Sequence, residues 1–137
     1  MVAVPDGARV VNIFDRRVLL SGALSGLFFA LPAAIAQRTV LSDAPMNGIM
    51  LFIIFFAGAL AGFAAARPMP MHALMHGAAA GLITFLGPEA VYLIAKREFP
   101  NPLALIFGGL MFASLGTIGA YIAVWRDAQD AAKAARS

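Results

Sequence analysis

Residues 48–66 read GIMLFIIFFAGALAGFAAA. The stretch holds no charged side chain, and its apolar residues do not alternate with polar ones as those of a membrane barrel strand do. At about 1.5 Å per residue a helix of this length reaches about 29 Å, close to the hydrocarbon thickness of a bilayer. In that medium the backbone has no water to bond to, and a helix satisfies its N–H and C=O groups within one segment. The stretch is therefore predicted to be a transmembrane helix. Outward from it, the windows Val18–Ala36, His72–Ala95 and Leu103–Trp125 have the same character.

The composition agrees. Of the 137 residues, 61% are hydrophobic and only 12% charged, with a mean hydropathy of +0.85. Soluble domains carry about 45–50% apolar and about 25% charged residues, so too few charges remain here to coat a water-facing surface. The expected fold is all-α: one integral membrane domain over residues 1–137, a four-helix bundle built as two tandem transmembrane hairpins.

There is no cysteine, which excludes disulfides, thiolate metal sites and cysteine nucleophiles. A pI near 10.0 could point to nucleic acid, but the net charge is only +3 and the basic residues flank the apolar runs, where they direct topology. With four spans both termini share a side. That side holds Arg9, Arg16, Arg17, Arg67, Arg126, Lys133 and Arg136, and the other holds Arg38, Lys96 and Arg97. Seven against three places both termini in the cytoplasm of a prokaryotic cell, with the chain in its inner membrane. The run from Arg16-Arg17 through an apolar stretch to Ala34-Ile35-Ala36 also has the pattern of a secretory signal with a cleavage site.

Against removal of that segment stands an internal repeat. A shift of 55 residues lays Leu19, Gly22, Ala23, Gly26, Leu27 and Leu31 on Leu74, Gly77, Ala78, Gly81, Leu82 and Leu86, six identities in thirteen positions. The second and fourth helices align more weakly, small residues on small ones around Leu60 and Leu115. A duplicated hairpin would make residues 17–66 and 72–121 the two units, in the same orientation about an axis along the membrane normal.

Each helix carries two small residues four apart: Gly22/Gly26, Gly58/Gly62, Gly77/Gly81 and Gly109/Ala113. Such pairs share a helix face and let two backbones approach closely. They predict a tightly packed bundle and a homo-oligomer or a larger membrane complex as its setting.

Three groups could carry chemistry. Met69-Pro70-Met71-His72, with Met75 and His76 one turn on, offers thioether and imidazole ligands of the kind that suit copper(I). The plainer reading is that Pro70 opens the third helix and that His72 and His76 are wet, with Met75 at the interface. Glu89 is the one acidic residue inside a predicted span, and an intramembrane carboxylate is by default a candidate for proton or cation coupling. It follows Gly87-Pro88, which reads as a helix break with Glu89 facing the N-terminal dipole of a new segment. Ser21, Ser25, Thr84, Ser114 and Thr117 are expected to bond to backbone carbonyls, and Tyr92, Tyr121 and Trp125 to sit in aromatic belts. No nucleotide loop, serine elbow or metalloprotease helix is present, so neither an enzyme nor a cofactor is implied.

The stretch from Phe56 to Gly62, Ala65-Ala66-Arg67, His76-Gly77 and Ala80-Gly81 resembles a pattern of YrzE-like small bacterial membrane proteins. In these a glycine-rich second helix ends in a basic turn and a His-Gly pair opens the third. The resemblance implies a four-helix inner-membrane protein and assigns no activity. The chain lacks the first-helix glutamate of small multidrug transporters and the polar filter of four-helix fluoride channels. The expected function is that of a helix-packing structural or accessory subunit, with a small oligomeric transporter or channel using Glu89 as the alternative.

Overall fold

The structure, a computed structural model, describes residues 14–39 and 44–136. Four helices account for nearly all of them: α1 (Arg16–Thr39), α2 (Ala44–Ala66), α3 (Ala73–Lys96) and α4 (Pro102–Ala134), with a single 3₁₀ turn, Pro70–His72, before α3. All four are long and apolar enough to cross a membrane. The fold is a four-helix bundle of transmembrane type, as the sequence predicts.

The helix boundaries follow local chemistry. The Asp15 carboxylate accepts from the Arg17 backbone N–H at 2.8 Å and caps α1. Asn101 does the same for α4, accepting from the Leu103 N–H at 2.9 Å, with Pro102 at the first helical position. Arg97 ends α3 in the left-handed conformation (φ 54°), its N–H returning to the Leu93 carbonyl at 2.8 Å.

One expectation needs correction. The helix break at Gly87-Pro88 does not occur, and α3 runs unbroken through Pro88. Proline forfeits one backbone bond, but inside a bundle its neighbours support the helix. Here Gly87 lies directly against Leu27 and Leu31 of α1, a contact that holds this turn in place. Glu89 therefore faces no helix N-terminus. The last helix continues nine residues past Trp125, the end of its predicted span, to Ala134, as a stalk of exposed residues rich in alanine, the best helix former.

Around the bundle, α1 packs on α2 and α3, and α4 packs on α2 and α3, while α2 and α3 also meet across the middle. In consequence α1 and α4 occupy opposite corners. A two-fold axis along the membrane normal exchanging the hairpins would make the α2–α3 and α1–α4 relations equivalent, and they are not.

The interior reverses the size rule of a water-soluble core. Buried positions are mostly alanine, among them Ala30, Ala57, Ala61, Ala65, Ala80 and Ala120, while Leu24, Phe28, Phe52, Phe107 and Leu110 point outward. Lipid tails are as apolar as leucine, so little is gained by burying large side chains; close backbone approach supplies the packing instead. A Cβ placed on Gly22 would lie 2.6 Å from the Ala65 methyl, and one on Gly26 would lie 2.7 Å from the Ala57 carbonyl oxygen. In the second hairpin Gly77 meets Ala120 and Gly116, and Gly81 meets Phe112 and Gly116. Each of these partners stands 55 residues beyond its counterpart in the first hairpin.

The end of the bundle that carries Arg16, Arg67 and Arg126 is called here the near end, and that carrying Thr39, Lys96 and Pro102 the far end.

Candidate functional site

At the near end the sequence points to His72, Met75 and His76. His76 lies fully buried, which corrects the expectation of a wet side chain. Its Nε2 accepts the Asp15 backbone N–H at 3.1 Å, so the proton must reside on Nδ1, which donates to the His72 carbonyl 3.0 Å away. Phe14 packs beside the ring at 5.7 Å between centroids. Both ring nitrogens are thus engaged in tying the capped start of α1 to α3. His72, Met71 and Met75 line a shallow surface hollow with Tyr121, and His76 is not among its walls. Helical spacing puts the two histidines on one side of α3, but burial turns one of them inward. Among the described residues no three His, Asp or Glu side chains gather as a metal set.

The far end is built differently. Glu89, partly buried on α3, lines a cavity of about 230 Å³ together with Arg38 and Gln37 of α1, Tyr92, Phe85 and, from α4, Phe112. A wider mouth of about 450 Å³, lined by Gln37, Arg38, Asn47, Ala95 and Lys96, adjoins it. Gln37 donates its amide to the Asn47 side chain, joining α1 to α2 at this rim. The Arg38 guanidinium lies 4.8 Å over the Tyr92 ring, a cation–π contact that holds it at the cavity wall. Its charge acts on Glu89, yet no ion pair between them forms.

The floor of the cavity is aromatic. Phe85 and Phe112 stand 5.3 Å apart, and Phe55 meets Phe112 at 5.9 Å. The Phe85 ring finds its place because Gly108 has no side chain; a Cβ there would come within 2.6 Å of it. Toward the near end the helices close on one another. Gly116 is among the tightest points: its carbonyl crowds the places where a Cβ of Gly62 or Gly77 would be, and its own Cβ would strike the Gly77 carbonyl. Thr84 is fully buried above this seam, its hydroxyl donating to the Ala80 carbonyl at 2.9 Å and reaching toward the Ala23 carbonyl at 3.5 Å. Ser25, Ser114 and Thr117 likewise donate to carbonyls one turn back. The aromatic floor and the seam below it close the cavity toward the near end, while Leu51, Ala104 and Met111 of its wall are exposed on the side of the bundle.

The small residues singled out in the sequence face inward. Gly22 and Gly26 meet α2, Gly58 and Gly62 meet α4, and Gly77 and Gly81 meet α4. Gly109 only touches Leu82, and Ala113 is half-buried; the close seam of α4 runs instead through Phe112, Gly116, Gly119 and Ala120. The 55-residue alignment placed Gly116 and Gly119 opposite Ala61 and Ala64 and was the signal for them. Sequence reading treated Arg38 and Lys96 as topology markers and Tyr92 as an interface anchor. A signal for the pocket was present in the stripe Glu89, Tyr92 and Lys96, at i, i+3 and i+7 on α3, which share a face.

Chemically, the pocket offers a carboxylate and a guanidinium at a common cavity, amides and an ammonium at its mouth, and a dry aromatic floor. It has no nucleophile–base pair. Neither curated proteins nor solved structures give a match to this chain. A family model does match, over residues 11–123, and by it the chain belongs to the family described as Protein of unknown function (DUF3792).

Proposed function

We propose that this protein is a non-enzymatic, multi-pass membrane protein that binds a small polar group in a far-end pocket between its helices. The observation that carries this reading is the Glu89 carboxylate and the Arg38 guanidinium facing one cavity without pairing with each other. Charges inside a span are expensive and are retained where they meet each other or something else. At about 230 Å³ the cavity is smaller than the roughly 300–1,000 Å³ of drug-sized sites, so the group it takes is small. The excess of Lys and Arg at the near end supports a prokaryotic inner-membrane location with cytoplasmic termini, and the pocket then opens outward. The recurrence of hairpin contacts at a 55-residue spacing supports an ancestral duplication over residues 17–66 and 72–121.

Two other readings carry less. A channel or transporter using Glu89 needs a continuation beyond Phe85 and Phe112, where the helices are in backbone contact. An accessory subunit working by helix association was motivated by small-residue faces, and within this chain those faces are occupied by its own helices. What favours association is the large apolar surface, Phe28 and Phe52 being 74% and 69% exposed, and lipid covers such a surface equally well.

The absence of cysteine makes a clean test. Glu89→Cys, partly buried at the cavity wall, is expected to react with a membrane-impermeant maleimide added from the far side, and Ala61→Cys, in the seam, to stay inert from either side. An unreactive Glu89→Cys in folded protein would refute the pocket. Labelling of Ala61→Cys from both sides would instead revive conduction.

A further inference from the structure

The far-end pocket lies beside a second feature that the pocket reading leaves unused. Along the α1–α2 seam in the same half of the bundle runs an apolar groove of about 890 Å³, open to the side and walled by Leu24, Phe28, Leu31, Pro32, Met50 and Ile53. Its far rim, Ala36, is the residue before Gln37 of the polar mouth, and its Met50 is one turn from Asn47. Groove and mouth are thus successive stretches of one seam, joined at the Gln37–Asn47 hydrogen bond. This is the order of parts in a phospholipid seen from the side, with an acyl chain below and a charged headgroup above.

The charges specify which headgroup. Arg38 presents a planar guanidinium fixed against Tyr92, the geometry that suits a phosphate, and Lys96 adds a second cation at the mouth. Glu89 is an acceptor with no hydrogen-bond partner in the structure, in the adjoining cavity. A primary ammonium offers three donors to such a carboxylate, whereas a trimethylated one offers none. We propose that this site holds an aminophospholipid of the phosphatidylethanolamine type, with its phosphate at Arg38 and Lys96, its ammonium at Glu89 and one acyl chain in the α1–α2 groove. The inference rests on the pocket reading above and names its ligand.

The test uses the full chain in mild detergent with synthetic phosphatidylethanolamine, phosphatidylcholine and phosphatidylglycerol of identical acyl chains, bound lipid being counted by native mass spectrometry. The wild type is expected to retain phosphatidylethanolamine over phosphatidylcholine by about tenfold or more, the worth of a charge-assisted hydrogen bond. Glu89→Gln, nearly isosteric, should bring that ratio close to one while leaving the helical circular dichroism unchanged. Arg38→Gln should weaken all three phospholipids together. Equal retention of the two lipids by the wild type, or a preference that survives Glu89→Gln, would overturn the assignment. Competition by free phosphoethanolamine as strong as by the lipid would also overturn it, because the groove would then have no part. In each of these cases, continued far-side labelling of Glu89→Cys leaves the pocket standing and removes only the lipid.

Discussion

The two ends of this bundle are made of residues of different size. Toward the near end the helices meet through Ala61, Ala65 and Ala80, and then through Ala66, Ala73, Ala120 and Ala123. Toward the far end the buried cluster contains Ile54, Phe85 and Phe112, with Phe55, Val91 and Leu105 packed on it. Glycine and alanine let backbones touch, and no space is left between them. Phenylalanine and isoleucine hold helices apart, and the space they create is filled only in part. The pocket is where the size of the core residues changes. The same change decides polarity, because a gap at the end of a membrane bundle can admit water and so tolerate Glu89 and Arg38 near each other.

Breaking the closed end should have the largest consequence. Gly116 contacts α2 and α3 at once, and the atoms its side chain would meet are backbone atoms that cannot rotate away. Gly116→Leu is expected to cost about 3 kcal/mol or more, the upper range for overpacking, and to prevent a monodisperse protein from being recovered in detergent. A variant with unchanged thermal stability would mean that the seam is looser than this geometry and that the contrast between the ends is wrong.

The clasp at the near end comes next. His76→Ala removes the acceptor for the Asp15 N–H and the donor to the His72 carbonyl, and it leaves a hole beside Phe14. Hydrogen bonds in membrane proteins contribute about 0.6 kcal/mol on average, and an orphaned amide adds its own penalty, so the total should reach about 2 kcal/mol. Amide hydrogen exchange localises the effect: protection should fall at the start of α1 and stay unchanged at Glu89. Equal loss at both ends would show that they are not independent units.

How much of this was legible beforehand differs between the ends for a physical reason. Four spans, and the small-residue pairs of α1, α2 and α3, follow from the residues themselves, because a run such as 48–66 has no other stable conformation in lipid. The contact register of the second hairpin was latent in the 55-residue shift. What the sequence did not disclose is lateral. Nothing local says that His76 turns toward Asp15, sixty-one residues away, or that Arg38 at the end of α1 reaches Tyr92 of α3. Pro88 misled because its usual effect, breaking a helix, is overridden by packing against α1 that no local rule contains. Spacing along one helix predicts a face, and only the neighbour on that face decides whether it becomes seam or site.

The smallest expected effect sharpens the comparison most. Apart from the charge it presents to Glu89, Arg38 has one described contact, its position over the Tyr92 ring, and its side chain is exposed at the pocket wall. A cation–π contact at an exposed site is worth about 0.5–1 kcal/mol, so Arg38→Gln should lower stability by no more than that. Tyr92→Phe keeps the ring face and should cost nothing through this contact, and the pair Arg38→Gln with Tyr92→Leu should cost no more than the sum of its parts less the shared contact. If far-end residues carry ligand rather than fold, thermal unfolding of Arg38→Gln will sit near wild type while His76→Ala falls well below it. Were Arg38→Gln to lose as much stability as His76→Ala, the guanidinium would be a structural strut between α1 and α3, and the cavity around Glu89 a by-product of large side chains with no ligand to receive.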